Sequence, residues 1–469
     1  MKYGIKALIS ALLVLILSVP AQPVTAEDPE ETVMIGFIDS GISTRHISPD
    51  HVAEGINYVF PDNDTRDRIG HGTATAGLVL GSEDLGIKGV CPEAVALPLV
   101  VVDLYPSGVV NNGGTDALVK AIYDAVDRGC RIINASLSTN EDTRELRDAV
   151  AYAESNGVLI VSASGNDGEG GSSGYPASYG TVISVGSADR SLPAEFSQNG
   201  ADVLVNSIDL TAPTHRGSSH PQTVSGTSYA CALVSGFCAK ILTRYPGLTP
   251  SAVRKAVFRL TNDILEPGFD ARSGWGVLAD NFEVPSPFPD IRDGWAREGI
   301  TYVSEKGLMS GAGDGLFDPG SPVTRAMLVT ILWRMEGSPS PGTSPAESTF
   351  EDVVPGMWYS EAVKWAVSAG LVNGYSAKIF CPDKSVSREE AAAVLYRYAQ
   401  MKGASASADS LAGYSDRGDI SSWAEAAMNW AVSVGILTGT GKKKLSPSGT
   451  LTRAQGAAVI MRLDRYSGS

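Results

Sequence analysis

Five short runs rich in valine and isoleucine, separated by stretches with helical periodicity, constrain the first half of this 469-residue chain most strongly. The runs lie at 33–38, 97–102, 131–134, 158–161 and 182–185, and the helical stretches near 72–80, 115–128 and 143–155. Strands that are apolar on both faces and alternate with helices are typical of a parallel sheet covered by helices. The pattern therefore predicts an α/β domain whose functional groups gather at the carboxyl ends of the strands.

Four polar residues stand where such a fold places chemistry. Asp39 follows the first predicted strand, Asn166 follows a later one, and His71 opens a helix. Ser228 stands at the start of an apolar helical run, where the helix dipole favours developing negative charge. A serine becomes a nucleophile when an imidazole takes its proton, and a carboxylate orients that imidazole. Because a side-chain amide can also stabilise an oxyanion, these residue types point to acyl transfer.

Three short motifs around these residues carry a family resemblance. Asp39-Ser40-Gly41, His71-Gly72-Thr73 and Gly226-Thr227-Ser228 resemble the active-site signatures of the subtilisin-like serine proteases. The order of the aspartate, the histidine and the serine, and their separations along the chain, equal those of the subtilisin template. The resemblance covers about 31–283 and implies a subtilisin-like parallel sheet between helices.

The same resemblance implies roles for individual residues. Ser228 would be the nucleophile, His71 the general base and Asp39 the carboxylate that orients it. Asn166 and the Ser228 N–H would form the oxyanion hole. Three consecutive residues would hydrogen-bond an extended substrate backbone, namely Ser136, Leu137 and Ser138. Tyr229 replaces the methionine that usually follows the serine, at a position to which we assign no chemistry.

The N-terminus predicts export. Lys2 and Lys6 precede an apolar stretch at 7–19, and small residues lead to a cleavage site after Ala26, so residues 1–26 are predicted to be a signal peptide. The alternative, a membrane anchor, is disfavoured because the apolar run is short, and no later run is long enough to cross a bilayer. Only residues 27–31 then precede the resemblance, where many relatives carry a propeptide; the domain either folds unaided or depends on another factor.

Charge and cysteine content exclude several classes of function. A net charge of −15 argues against nucleic acid and anionic membranes as partners. The five cysteines are scattered, so they predict neither a disulfide framework nor a metal site. We interpret them as small buried residues, although a pair between Cys91 and Cys130 stays open. Calcium sites are common in the resembled family, but the acidic run at 62–64 has no spacing that assigns one, and solvated turns are favoured there.

The second half of the chain is a repeat. Three tryptophans (Trp295, Trp358, Trp423) recur at nearly equal intervals, and three arginines (Arg325, Arg388, Arg453) recur at the same intervals. Two helical turns after each tryptophan comes another aromatic residue, which predicts one helical face that carries both. Each arginine follows a serine or threonine that caps a helix. A cation is disfavoured at a helix start, which suggests that an anion binds there with it.

This pattern resembles three surface-layer homology domains over about 286–466, opened by Phe288-x-Asp290, Phe350-x-Asp352 and Tyr414-x-Asp416. The resemblance implies a helical pseudo-trimer that binds anionic cell-wall polysaccharide, with Arg325, Arg388 and Arg453 in contact with the polymer. The family's arginine motif usually ends in glutamate, which only the middle repeat keeps, at Glu390. We interpret the tryptophans as mostly helix core, with sugar stacking as the alternative.

Together these patterns predict a signal peptide (1–26), a protease domain (27–283) and three repeats (286–340, 348–402 and 411–466). The function predicted is that of a serine endopeptidase, secreted by a bacterium and held at its cell wall, which needs no organic cofactor and no metal that we can assign. Its partners would be a peptide or protein substrate and the wall polysaccharide, without nucleic acid or a transmembrane segment in the mature chain. The alternative is a catalytically silent wall-bound protein whose protease-like domain only binds.

Overall fold

The computed structural model describes residues 32–215, 220–340, 350–404 and 410–467. The predicted signal peptide lies outside the described residues, as do large parts of the two predicted joints between the repeats. Among the helices that are described, none is long and apolar enough to span a bilayer. The predicted domain bounds stay predictions.

In the described part of the first half, short strands combine with five α-helices and a 3₁₀ helix at Pro49–His51. The strands are β1 (Met34–Asp39), β2 (Ile56–Asn57), β3 (Val95–Val100), β4 (Val102–Leu104), β5 (Val110–Asn112), β6 (Ile132–Ala135), β7 (Leu159–Ala163), β8 (Ile183–Asp189), β9 (Leu192–Pro193), β10 (Val203–Asn206), β11 (Leu210–Ala212), β12 (Gln222–Val224), β13 (Thr261–Asn262) and β14 (Val277–Leu278). The helices are α1 (His71–Leu80), α2 (Gly114–Asp127), α3 (Arg144–Ser155), α4 (Thr227–Arg244) and α5 (Pro250–Leu260).

The main sheet is largely parallel. Its order is β13-β14-β10-β8-β7-β6-β1-β3-β2, with β9 attached to β8, and β13 and β9 are its antiparallel members. Alternate residues of β1 face opposite layers: Phe37 packs in the cluster that contains α1, α4 and α5, and Ile38 packs with α2 and α3. The predicted α/β architecture, a parallel sheet between two helical layers, is therefore confirmed.

Among the residues described in the second half there are six α-helices and a 3₁₀ helix at Arg417–Asp419. The α-helices are α6 (Arg297–Glu305), α7 (Arg325–Met335), α8 (Ser360–Ser368), α9 (Arg388–Met401), α10 (Glu425–Ser433) and α11 (Arg453–Ser467). Each repeat contributes two helices, and the first helix of one repeat packs against the second helix of another, in the pairs α6–α11, α8–α7 and α10–α9. All three repeats share one apolar cluster. The repeats therefore form one helical module with a common core.

A closed ring of backbone hydrogen bonds lies where the three repeats meet. Val323 N–H donates to the Leu451 carbonyl at 2.8 Å, Leu451 N–H to the Val386 carbonyl at 2.9 Å, and Val386 N–H to the Val323 carbonyl at 2.9 Å. Each of these residues lies just before the second helix of its repeat. The ring gives the module an approximate threefold symmetry, as the predicted pseudo-trimer requires.

The first repeat is docked on the protease domain. Arg259 of α5 donates to Asp290 at 2.8 Å and also pairs with Asp318, both in the first repeat. Asp290 is fully buried, so its charge is balanced by this partner. Leu316 of the repeat joins the apolar cluster of the protease domain. The two halves therefore share a packed and ion-paired interface.

Candidate active site and anchor site

Asp39 and His71 form the first pair of the candidate active site. Asp39 is the last residue of β1, and His71 is the first residue of α1. The Asp39 Oδ1 atom is 2.8 Å from His71 Nδ1 and also accepts the Ser40 N–H at 2.7 Å. The nearby Asp39 carboxylate raises the pKa of His71, because it stabilises the imidazolium by more than burial destabilises it. This geometry fixes the imidazole with Nδ1 as a donor toward Asp39.

A second carboxylate, Asp67, holds the start of α1 in place. Its Oδ1 accepts the N–H groups of Ile69 and Gly70 at 2.9 and 2.7 Å, and its Oδ2 accepts the Thr73 N–H at 2.8 Å. Oδ1 also accepts the Ser40 hydroxyl at 2.9 Å. Asp67 thereby satisfies N–H groups at a helix end that has no side-chain cap of its own, and its charge also raises the pKa of His71. None of the motifs in the sequence singled out Asp67.

Ser228 is the second residue of α4, as predicted. The helix begins after Gly226, whose φ of 145° is open to glycine and strained for other residues. The Ser228 hydroxyl donates to the Ser136 carbonyl at 3.0 Å, and the Ser136 hydroxyl donates to the Ser228 carbonyl at 2.9 Å. Within the described chain, no hydrogen bond joins Ser228 to His71, so the hydroxyl rests against the end of β6.

Asn166 lies in the loop after β7, next to the start of α4. Its Oδ1 accepts both the Thr227 N–H at 3.0 Å and the Thr227 hydroxyl at 3.1 Å. Two donors on the same atom fix the orientation of the amide, because the NH₂ group could accept neither. The Asn166 NH₂ group is therefore directed away from Thr227, and it is available to donate to a developing oxyanion.

The three residues predicted to bind substrate follow β6. Ser136 is buried, Leu137 is half-buried and Ser138 is exposed. They lie between the last pairs of β6 and the bridge from Thr139 to Tyr175, so their backbone lies outside the strand pairing of the sheet. A segment of this kind can pair with an extended peptide, as in strand addition.

Tyr229 packs directly on the candidate catalytic imidazole. Its ring centroid lies 5.4 Å from that of His71, with the planes tilted by 42°. Burial raises the pKa of the Tyr229 phenol. The ring contact restricts the movement of His71, so the residue in the usual methionine position does touch the site, although the sequence suggested no chemistry for it.

The acidic turn at 62–64 is engaged with arginines. Asp64 accepts from Arg66 at 2.7 Å and from Arg68 at 2.9 Å, and Asp62 lies 3.8 Å from Arg68. Across the described ranges, no group of three or more histidine, cysteine or carboxylate side chains is placed to hold a metal. The five cysteines are free thiols, with Cys91 and Cys130 in apolar clusters on opposite faces of the sheet.

The three predicted polymer-binding arginines lie at the interfaces between repeats. Each donates from Nε and Nη2 to two backbone carbonyls of another repeat, over distances of 2.6–3.0 Å. The acceptor pairs are Asn373 and Phe380 for Arg325, Thr438 and Leu445 for Arg388, and Ser310 and Phe317 for Arg453. Arg388 and Arg453 are buried, and burial lowers the pKa of both.

These contacts give a second reason for an arginine at a helix start. The first two N–H groups of α7, α9 and α11 donate to carbonyls of another repeat; for Arg325 and Ala326 the acceptors are Lys384 and Pro382. The helix ends are therefore satisfied by the protein itself, and the arginine binds carbonyl oxygens beside them. Polymer binding by all three arginines stays a prediction.

The prediction of tryptophans in the helix core is wrong for the first tryptophan of each repeat. Trp295, Trp358 and Trp423 are exposed by 66%, 51% and 57%, and each stands in a turn just before its helix begins. Because the helix starts after them, the step of two turns to the next aromatic residue does not define one helical face. By contrast, Trp430 is buried in the shared core.

Comparison with known proteins assigns each half of the chain to a protein family. A profile of the subtilase family matches residues 30–276, and a profile of the S-layer homology domain matches 287–326, 349–392 and 413–457. Subtilisin DY from Bacillus licheniformis is 35% identical over 254 residues, which cover 52% of this chain and 88% of that protein. The minor extracellular protease Epr from Bacillus subtilis (strain 168) is 31% identical over a match that covers 53% of this chain and 38% of Epr.

A solved structure, titled S41 psychrophilic protease, aligns with a TM-score of 0.49 at 27% identity and covers 54% of this chain and 92% of that one. The family and sequence matches define the class as a serine endopeptidase that carries three S-layer homology domains. The chain belongs to the subtilase family. The predicted family, fold class and enzyme class are confirmed.

Proposed function

We propose that this chain is a secreted serine endopeptidase, held at a bacterial cell wall by its repeats, which hydrolyses peptide bonds through an acyl-enzyme on Ser228. The observation that carries the proposal is the placement of four groups at one edge of the sheet. Asp39 is hydrogen-bonded to His71, Ser228 opens α4, and Asn166 has its amide oriented by Thr227. These are the groups that acyl transfer requires.

The proposed reaction begins when Ser228 Oγ leaves the Ser136 carbonyl and attacks the carbonyl carbon of the scissile bond. His71 Nε2 takes the hydroxyl proton, while the His71 Nδ1–H bond to Asp39 stabilises the imidazolium. The Asn166 NH₂ group and the Ser228 N–H donate to the oxyanion. The C–N bond then breaks, and the leaving amine receives the proton from His71 Nε2.

The acyl-enzyme is resolved by the same groups acting on water. His71 takes a proton from a water molecule that attacks the ester carbon, and the same oxyanion donors stabilise the second tetrahedral intermediate. Ser228 leaves with the proton returned by His71, and the carboxylate product departs. No step needs an organic cofactor or a metal ion.

An extended peptide is the proposed substrate form. The backbone of Ser136–Ser138, which lies outside the strand pairing, would hydrogen-bond the acyl side of the substrate and present its carbonyl to Ser228. Recognition through the main chain favours unfolded segments and flexible loops, because these can adopt the extended conformation.

Anchoring and export are supported by the family of the repeats and by a relative. The three S-layer homology matches support attachment to the cell surface, with anionic wall polysaccharide as the partner. The relative Epr is described as an extracellular protease. Because the whole chain carries a net charge of −15, the proposed attraction to an anionic polymer depends on local cationic groups in the repeats.

The test is labelling with a fluorophosphonate probe, which reacts with an activated serine. We expect residues 27–469 to be labelled and the Ser228→Ala protein not to be. Peptide hydrolysis by that variant should fall by about 10⁶-fold in kcat. Ser225→Ala is a matched control, since Ser225 lies nearby in the chain and accepts the Asp209 N–H instead of serving the site. A folded parent protein that resists the probe would favour the silent wall-bound alternative.

A further inference from the structure

The threefold symmetry of the repeat module is broken in the loop that joins the two helices of a repeat. In the first repeat this loop contains residues 314–318, which we call the docking loop, and its equivalents are 377–381 and 442–446. One position keeps its role in all three repeats. The N–H of Phe317 donates to the aspartate of the opening motif, as the N–H groups of Phe380 and Leu445 do in their repeats. The neighbouring positions of the docking loop differ in chemistry from their equivalents.

The apolar residue of the docking loop is buried against the protease domain. Leu316 is 4% exposed and belongs to the apolar cluster of that domain, not to the cluster that the repeats share. Its equivalents in the second and third repeats, Ile379 and Lys444, are exposed. A leucine at this position therefore contributes nothing to the shared core of the module, and its apolar contacts are made across the interface.

The glycine of the docking loop is explained by the approach of the protease domain. Gly315 has a φ of 71°, and Lys443, at the equivalent position of the third repeat, has a φ of 57°. This backbone conformation therefore accepts a side chain in the third repeat. In the first repeat, a Cβ atom at position 315 would lie 2.5 Å from the Cδ2 atom of Leu248, a buried residue of the protease domain. Glycine thus allows the two surfaces to meet.

The charges on the two surfaces are complementary. Lys255 and Arg259 lie one turn apart on α5, and both face carboxylates of the first repeat. Arg259 donates to the buried Asp290 at 2.8 Å and pairs with Asp318, while Lys255 lies 3.9 Å from Asp314. The equivalents of Asp314 and Asp318 carry no carboxylate; they are Ala377 and Cys381 in the second repeat, and Lys442 and Ser446 in the third. Both acidic residues of the docking loop are therefore specific to the repeat that meets α5.

The docking loop meets the protease domain at the edge of the sheet opposite to the candidate active site. Arg131, which directly precedes β6, donates to the carbonyls of Pro246 and Leu248 at 3.1 and 3.2 Å. Leu248 therefore lies near the amino end of β6. Ser136, whose carbonyl accepts the Ser228 hydroxyl, follows the other end of the same strand. The interface thus leaves the candidate active site open to substrate.

We propose that the first repeat has a further function, as a stabilising partner that the chain supplies to its own protease domain. Separation of the two surfaces would expose Leu248 and Leu316 to water and would remove the balancing cation from Asp290. The docked state therefore stabilises the folded protease domain. The second and third repeats lack the docking residues and do not share this function. The proposal rests neither on catalysis nor on wall binding, because it concerns the folding of the chain itself.

The experiment follows the unfolding of the protease domain through its own buried thiols. Cys231 and Cys238 lie on α4 and are fully buried, so an alkylating reagent reaches them only when the domain opens. The full chain, with Ser228→Ala to prevent self-digestion, is heated in steps and exposed briefly to iodoacetamide at each temperature. Mass spectrometry of the two cysteine peptides then gives the temperature at which half of each thiol is modified.

The variants change the docking loop without introducing a residue that is foreign to the repeats. Leu316→Lys places at this position the residue that the third repeat carries there, and Leu316→Ala is the milder change. Each should lower the temperature of half-modification by about 5–10 °C, since buried apolar contacts are lost. Arg259→Ala should act in the same direction, because Asp290 loses its cation. Ile379→Lys is the matched control, a similar exchange at the exposed equivalent position, and should leave that temperature unchanged.

Two results would overturn the proposal. In the first, both Leu316 variants fold and their thiols become reactive at the same temperature as those of the parent. In the second, Ile379→Lys lowers that temperature as much as Leu316→Lys does, because the effect would then come from the fold of the module. Tryptophan fluorescence shows that each variant keeps a folded module, since six of the seven tryptophans lie in the second half of the chain. A failure of the proposed peptide hydrolysis would leave this test intact, because thiol protection requires no catalysis.

Discussion

The first N–H groups of a helix have no partner within that helix, and the protease domain and the repeat module supply acceptors for them in different ways. In the protease domain, the start of α1 is held once, by Asp67 and by the Ser40 hydroxyl, which accepts the Gly72 N–H at 3.0 Å. In the repeat module, the same arrangement occurs three times: the first N–H groups of α7, α9 and α11 each donate to carbonyls of another repeat. The first arrangement serves one imidazole, whereas the second serves the assembly of the module.

The difference shows where function resides in each half. A contact that exists once can be adjusted to one task, and every group in the active site has a different partner. A hydrogen-bonding arrangement that is repeated three times maintains the fold. The residues of one copy can change only if the other two copies keep the module folded. In the module, function is therefore expected where a repeat departs from its equivalents.

The largest effect is expected from substitution of Asn166, because the active site contains this side chain once and no equivalent residue of a repeat can take its place. Asn166→Ala removes the side-chain donor to the oxyanion, so kcat should fall by about 10²–10³-fold, with little change in KM. Hydrolysis of a chromogenic peptide measures this loss. Asn156→Ala, at the exposed end of α3, is the matched control and should leave kcat unchanged. A fall of less than about threefold for Asn166→Ala would show that its amide does not donate to the oxyanion.

The next effect concerns stability and compares two arginines that share one backbone role. Arg388→Ala leaves the Leu445 and Thr438 carbonyls without their buried donor, which should cost about 2–4 kcal/mol in the free energy of unfolding. Arg325→Ala should cost less, because Arg325 is only half-buried and water can replace its donors there. Denaturant unfolding of both variants measures the difference. Equal costs would show that the greater exposure of Arg325 does not reduce its contribution to stability.

Much of the fold and of the candidate site could be predicted because the signals are local. The β1, β6 and β7 strands are short apolar runs, and the residues that follow them necessarily meet at one edge of a parallel sheet. Asp39, Asn166 and Ser136 therefore come together as expected. The start of α4 could be read from helical periodicity, and it places Ser228 beside them.

What could not be predicted depends on contacts between distant segments. The carbonyls that bind Arg453 belong to Ser310 and Phe317 of the first repeat, and backbone acceptors leave no trace in side-chain identity. The exposure of the first tryptophan in each repeat was not predicted, because the helical spacing that was used applies only to residues within a helix, and these tryptophans precede theirs. Asp67 had a usable signal, an aspartate shortly before the glycine at the start of α1, where carboxylates commonly accept backbone N–H groups.

Asp67 offers the smallest expected effect. Asp67→Asn keeps one of the two oxygen acceptors at the start of α1. It also removes a negative charge that favours the imidazolium of His71. The pKa of His71 should therefore fall, and since catalysis needs the neutral imidazole, the acid limb of kcat/KM should move to lower pH. Asp62→Asn removes the same charge at an exposed position paired with Arg68 and should leave the limb in place. A limb that moves to higher pH, or stays fixed with kcat reduced, would mean that Asp67 acts on the position of His71 and not on its charge.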